Sequence, residues 1–594
     1  MLTLVYFFAT GWGLGIQHIV SPDEPRYAVG ARNMLHGGDP IVPFFNGHPH
    51  LEKPALFYWL LVVSGTVAQF IGVSLDTAGF RLAPLFMGWL AVLGIYLLGR
   101  RLLNPRGACV AAVILMTSYQ FHDVARELVI DMTLTAFLLW SWLFFHIALG
   151  RLERGARSFW PLLGFYLCLG LACMSKGPFL VGIFSTVPLV AYLFWTRRQK
   201  LLARAGLWWG LPLALALGLS WFVALKSKGY DPTPFFSVEN LARFFGRKDH
   251  VHRVPFLFYL YSLFQIFAPW VVLVPFAAWW SYKTWHDVRH SARLSNGLPL
   301  PTGEITPHNR GGITAPPCPL PAGEMKISDG AKLLACALGI SFVIMGLSQS
   351  KRHLYLLPLF PYLALWLAWF LERTFLSREG EPGNKASVYL LDMRVMLAPA
   401  CFACTLWLPQ AGGLPVETAG CVVLCIVMWI ALAMTARALK QGKRQRTVCL
   451  LLTAAVLLAF GREAVIRPIH ERALNLGEFY AEVKDKLADR RLVIAGMNSN
   501  EASWYLDKTL SPIDQVSVPE LENSFYGTPG TALLVREDAL ANPALKGCVI
   551  PLSGKITRNK ETFVLVVPDP AHPPDPAAFK VRAAKRKAGF FDDL

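Results

Sequence analysis

Charge is what this chain has least of. Asp, Glu, Lys and Arg make up 16% of its 594 residues, where a soluble globular domain carries about 25%. A string of water-soluble domains, which the length alone would suggest, needs more charged surface than that and is excluded. Acids are the scarcer sign, 39 against 57 bases, for a net charge of +18. The bases stand in short clusters between apolar runs, so the excess reads as membrane topology and not as nucleic-acid binding. A disulfide framework is missing too. The eleven cysteines are scattered, mostly inside apolar runs (Cys109, Cys168, Cys173, Cys336, Cys421, Cys425), and even the C-x-x-C of Cys401 and Cys404 lies in a hydrophobic segment. Small apolar packing residues account for them better than metal or redox chemistry. No internal repeat is present. The first 20 residues lack a basic leader and a small-residue cleavage site, so they read as a retained membrane helix.

Apolar residues fill the space the charges leave. They make up 54% of the chain, with 19 Trp and 39 Phe and a mean hydropathy of +0.41. Aromatic rings suit the bilayer interface. A crossing helix needs about 20 mostly apolar residues. Runs of that kind lie at roughly 2–20, 80–98, 108–124, 131–149, 159–175, 178–195, 206–224, 256–280, 332–349, 354–371, 393–410, 418–436 and 447–462, thirteen in all.

A further apolar stretch, 56–73, is decided by charge. If it does not cross, four basic clusters share one side: Arg100/Arg101/Arg106, Arg151/Arg154/Arg157, Arg197/Arg198/Lys200/Arg204 and Arg437/Lys440/Lys443/Arg444/Arg446. The loop holding Asp23 and Glu24 then falls on the other side, as the positive-inside rule asks. The stretch is expected to lie in the outer interface, where Phe57, Tyr58 and Trp59 fit.

The expected fold is thus an α-helical polytopic membrane protein of about thirteen spans with a small C-terminal α/β domain. The membrane domain covers 1–464, with an outer loop at 21–79, a second outer loop at 225–255 and a flexible cytoplasmic loop at 281–331. The outer domain covers 465–594, with strands over 491–496, 531–535 and 562–567 and helices over 475–487 and 500–506.

On this topology the polar residues of the membrane domain collect at the outer face. The first outer loop holds Asp23, Glu24, Arg26, Tyr27, Arg32, Asp39, Glu52 and Lys53. Asp131 lies where the third span gives way to the fourth, and Lys176 between two apolar runs. The 225–255 loop carries Glu239, Arg243, His250 and His252, and a last outer turn carries Lys351, Arg352, His353 and Tyr355. Each has a bland explanation: Asp23 caps the next helix, Lys176 snorkels, and the histidines are solvated. Charges beside hydrocarbon are costly, however, and five loops converge on one face. Carboxylates there can act as bases or metal ligands, and Lys and Arg can hold a phosphate. A transporter or flippase would instead want polar residues at mid-span and repeats.

The first loop, SPDEPRYAVGARNMLHGGDPIVPFFNGHPHLEKPALFYWL, closely resembles the first periplasmic loop of bacterial lipid A aminoarabinose transferases. These stand with the protein O-mannosyltransferases in the C-type glycosyltransferase fold. The matching parts are D-E-x-R-Y, G-D-x-I-V-P, N-G and E-K-P before Y-W. VIDMTLTAF, MSKGPF, FFSVENLARF and SKRHLYLLPLFP follow in order, so the likeness runs over roughly 1–370.

The resemblance implies inverting transfer of a sugar from a polyprenyl phosphate, 4-amino-4-deoxy-L-arabinose among the choices, to lipid A or another envelope acceptor. It implies a bacterial inner membrane, with the active site and C-terminal domain in the periplasm. Asp23 is the implied base or acceptor-orienting acid, with Glu24 beside it and Asp131 as the second carboxylate. Lys53 and Arg243 would grip the carrier phosphate as it leaves, aided by Lys351 and Arg352. Tyr58 and Tyr355 would line the lipid or sugar pocket, with Arg26 and Tyr27 also in the substrate site, and Glu52 would bind a divalent metal ion. Two departures stand out: Pro25 where the family has Thr, and Asn240 where aminoarabinose enzymes tend to have His. Same-fold transfer to protein or another glycan is the alternative.

Overall fold

The computed structural model describes residues 1–20, 23–74, 78–237, 255, 257–284, 322–376, 415–474, 476–495, 499–507, 521–558 and 561–575. The chain forms two compact units. One comprises Met1–Trp12, Leu51–Phe57 and Leu82–Val465; the other comprises Gly13–His50, Tyr58–Arg81 and Ile466–Leu594. The division is not the single cut expected at 464/465, because most of the first loop folds with the C-terminal residues.

The first unit is helical. Among the described residues, nine helices are long and apolar enough to cross a membrane. They are Leu82–Leu102, Asp131–Glu153, Phe159–Lys176, Pro178–Trp195, Leu207–Ser227, Asp329–Leu347, His353–Leu376, Ala419–Lys440 and the helix that starts at Arg444. Close approach is bought with glycine. A Cβ on Gly210 would meet the Tyr166 ring at 1.9 Å, and one on Gly218 would meet the Cys173 Cβ at 2.6 Å. The Leu207–Ser227 helix therefore seats directly on Phe159–Lys176. Its other face exposes Trp208, Leu211, Leu215 and Val223, apolar groups that suit lipid chains and not water.

Three expected spans take a different form. The 2–20 run is helical only over Leu2–Gly11, since the backbone turns extended at Trp12 and left-handed at Gly13 (φ 62°). The 108–124 run is two helices, Pro105–Thr117 and Tyr119–Val124, parted at Ser118, whose ψ is 134°. The 256–280 run is interrupted after Phe258–Ile266 by a 3₁₀ turn over Trp270–Leu273, next to Pro269, which has no N–H to continue a helix. The helix at 56–73 spans Leu56–Phe70, 15 residues. At 1.5 Å per residue that is about 22 Å, short of the ~30 Å hydrocarbon core, so it is unsuited to crossing. The expected span 393–410, with Cys401 and Cys404, lies outside the described residues, as does most of 281–331.

The second unit holds a hairpin and a sheet. Strands β1 (Phe44–Phe45) and β2 (His48–Pro49) pair antiparallel through Asn46 and Gly47, both at positive φ (51° and 78°), which is what a two-residue hairpin turn requires. The sheet has five strands: β3 (Arg491–Ala495), β4 (Thr531–Arg536), β5 (Val549–Pro551), β6 (Ile556–Arg558) and β7 (Glu561–Pro568). β4 runs parallel to β3 and antiparallel to β7, and β7 also pairs with β5 and β6. Successive residues point to opposite faces. Leu492 and Ile494 pack with Phe479 and Tyr480, while Val493 packs with Phe525 and Val535. Both faces are covered, which is why these strands read as unbroken apolar runs.

Candidate active site

In the helical unit, Asp131 opens the Asp131–Glu153 helix and Lys176 closes the Phe159–Lys176 helix. These helices are consecutive and antiparallel, so both residues lie at the same end. Gly177, at φ 93°, ends the helix directly after the lysine. Lys176 Nζ lies 2.5 Å from Asp131 Oδ1, with both side chains about nine-tenths buried. The same ammonium sits 4.7 Å from the centre of the Tyr355 ring, a cation–π contact. Lys176 therefore does not snorkel. Tyr355, expected on a pocket wall, is one side of the cage around it.

Lys351 is buried and donates to the Ser348 carbonyl. Burial holds its pKa below the ordinary lysine value. Arg352 next to it is exposed, so it is the one of the pair presented outward. Glu52 is exposed and Lys53 half-buried. Arg243 and the histidines at 250 and 252 lie outside the described residues. Among the described residues, no group of three His, Cys, Asp or Glu is placed to hold a metal ion.

In the second unit, Asp23 occupies the N-cap position of the Glu24–Leu35 helix, yet its side chain makes no capping hydrogen bond. It is half-buried. Glu24 turns the other way: Arg81 donates to its Oε1 at 2.7 Å, and Val20 N donates to its Oε2 at 3.0 Å. Arg81, fully buried, also donates to the His18 carbonyl at 2.8 Å. Glu24, expected in the catalytic set, is instead half of a buried pin that closes the loop. Tyr27 and Tyr58 are buried with rings 5.4 Å apart, and Tyr58 Oη is 2.9 Å from His50 Nδ1. These two tyrosines pack the loop rather than line an open pocket. Arg26 is half-buried.

Three charges escaped the sequence reading: Arg81, Arg126 and Glu463. Each lies at the edge of an apolar run, Arg126 beside Glu127 and Glu463 beside Arg462, and only burial sets it apart. Glu463, fully buried, lies 3.0 Å from Arg126 Nε and 3.3 Å from His122 Nε2. Arg126 also donates to the carbonyls of Thr10 and Trp12, and Arg462 pairs with Asp123 at 2.5 Å. Beside this network opens a crevice of about 380 Å³, mostly apolar, walled by Trp270, Met428, Leu451 and Leu458, with Arg462 and His122 at its polar edge.

Residues 52–223 match the family described as dolichyl-phosphate-mannose-protein mannosyltransferase. The undecaprenyl phosphate-alpha-4-amino-4-deoxy-L-arabinose arabinosyl transferase of Erwinia tasmaniensis is 28% identical over 362 residues, 60% of this chain and 56% of its own length. That of Edwardsiella ictaluri is 30% identical over 371 residues, 59% of this chain and 55% of its own. The chain thus spans about half the length of the curated relatives it matches. The crystal structure of ArnT from Cupriavidus metallidurans bound to undecaprenyl phosphate aligns with a TM-score of 0.67 over 95% of this chain and 96% of that one, at 18% identity. The class is therefore a multi-span membrane protein with the C-type glycosyltransferase fold. Within it, the chain is similar in sequence to the aminoarabinose transferases and, over residues 52–223, to the protein mannosyltransferases.

Proposed function

We propose that this chain is a membrane glycosyltransferase. It would move a sugar from undecaprenyl or another polyprenyl phosphate to lipid A or another envelope acceptor, at the periplasmic face of a bacterial inner membrane. The observation that carries the reading is the buried Asp131–Lys176–Tyr355 cluster at one end of two spanning helices, with Arg151 and Arg154 at the other end. Basic residues favour the cytoplasmic side, so the cluster belongs outside. The arabinosyl transferase relatives supply the choice of donor, 4-amino-4-deoxy-L-arabinose.

In the reaction, an acceptor oxygen attacks the anomeric carbon as the bond to the carrier phosphate breaks. The phosphate leaves with the bonding pair, and Lys53, Arg243 and Arg352 stabilise its charge. The acceptor's proton passes to Asp23, the acid that opens the Glu24–Leu35 helix. Asp131 is occupied by an ammonium, which suits it to holding Lys176 and the helix ends in place. The apolar crevice beside Trp270 and Leu451 suits a prenyl or acyl chain.

Purified protein given undecaprenyl-phosphate aminoarabinose is expected to release undecaprenyl phosphate only when acceptor is added. Absence of turnover over a panel of lipid A, glycan and peptide acceptors and several donor sugars would overturn the reading. A metal at Glu52 is tested separately, since it requires that EDTA abolish transfer and that Mg²⁺ or Mn²⁺ restore it.

A further inference from the structure

We infer that the C-terminal part of the chain is the seat that positions Asp23, with Arg32 and Trp504 as positioning residues. This rests on the reading of Asp23 as the proton acceptor. The geometry on both sides of Asp23 points to it. Ahead of it, the His18 backbone N–H and ring Nδ1 both meet Glu471 Oε2, at 2.9 and 2.8 Å. Ile19 N donates to Tyr505 Oη at 3.0 Å. Behind it, Arg32 on the helix that Asp23 opens lays its guanidinium over the Trp504 ring, 4.6 Å from the centroid. Its two terminal nitrogens donate to the carbonyls of Trp504 and Ser503 at 3.2 and 3.3 Å, and the group pairs with Asp507 at 2.8 Å.

The seat is itself fixed. Trp504 is 4% exposed and packs edge-on against Phe80. Tyr505 stacks on Tyr480 with the rings 5.1 Å apart and 6° from parallel, and Tyr480 belongs to the core under the five-stranded sheet. Ser503 Oγ, also buried, donates to Asn46 Oδ1 at 2.6 Å in the hairpin turn. Residues 18–46 are thus gripped at three places by 471 and 503–507, and Asp23 lies between the first two. A planar guanidinium that both stacks and donates has one orientation, which a lysine cannot reproduce. A general base must stand within hydrogen-bond reach of the proton it takes. A displacement of about 1 Å costs on the order of a hundredfold in rate.

The test uses the full-length protein with undecaprenyl-phosphate aminoarabinose and lipid A, and compares R32K, W504A and W504F with D23N. R32K and W504A are expected to lower kcat by roughly tenfold or more with the donor KM within about twofold, because the proposed phosphate contacts, Lys53 and Arg243, are untouched. Hydrogen exchange is expected to rise over 18–35 and not in the Asp131–Glu153 helix. W504F, which keeps a ring face for Arg32, is expected to recover most of the activity. If W504A does not fold, R32K decides by the same criteria. Wild-type kcat in the folded variants, or a raised KM at unchanged kcat, would overturn the positioning role while an inactive D23N left the site reading standing. A fully active D23N would overturn the site reading itself.

Discussion

At the scale of single residues, two carboxylates that looked alike in the sequence are placed differently. Asp23 and Glu24 are neighbours, but Glu24 is spent on Arg81 and Asp23 is not used as a cap. Removal of the Asp23 charge is expected to lower kcat by roughly 10²–10⁴-fold in the Asp23→Asn variant if it takes the acceptor proton, read as the rate of undecaprenyl phosphate release. Asp131→Asn is expected to differ in kind. It leaves the Lys176 ammonium buried without its counter-charge, at a cost of about 3–5 kcal/mol, read as a lower melting temperature. The double variant with Lys176→Met is expected to regain part of that loss; full additivity of the two costs would contradict the pairing. The acids themselves were legible in the sequence because charge beside hydrocarbon is rare. Their partners were not, because nothing in a linear pattern tells that Lys176, 45 positions away, closes onto Asp131.

At the scale of elements, hydropathy found apolar runs well and their breaks poorly. A run such as 108–124 scores as one span although Ser118 turns the backbone extended within it, because composition does not register a single φ/ψ change. Charge balance assigned the 56–73 stretch to the interface, and the helix found there, Leu56–Phe70, is 15 residues long, short for a crossing. In the sheet, β3, β4 and β7 were visible as apolar runs, whereas β5 and β6 have three residues each, too few for a period to show. The Glu24–Leu35 helix owes its seating to Gly30, where a Cβ would stand 2.6 Å from the Tyr58 ring. Tyr58 is fully buried and cannot retreat. Gly30→Ala is therefore expected to destabilise by about 1–3 kcal/mol, measured as a fall in melting temperature.

At the scale of the whole molecule, composition and basic clusters sufficed to give a multi-span membrane protein, and the proposed sidedness is open to direct measurement. In a background with native cysteines replaced, Arg352→Cys is expected to react with an impermeant maleimide from the periplasm. Arg154→Cys is expected to react only once the cytoplasmic face is opened; the reverse pattern would invert the topology. What composition could not show is that the first loop belongs with the last hundred residues, since Arg32 and Ser503 are 471 positions apart.

That separation has a consequence in time. Residues 13–50 leave the ribosome well before the side chains at 471 and 503–507 that hold them. At roughly 5–20 residues per second, the loop waits on the order of half a minute to a minute and a half for 466–507 to be made. The described spanning helices from Leu82–Leu102 to Ala419–Lys440 are synthesised in that interval. A nascent chain halted at residue 465 is expected to be embedded but to present 13–50 to added protease, and the same segment is expected to become resistant once synthesis runs to completion. Assembly of the loop would then follow synthesis of the spanning helices between the two segments, so a copy halted at residue 465 would lack the seat proposed for Asp23.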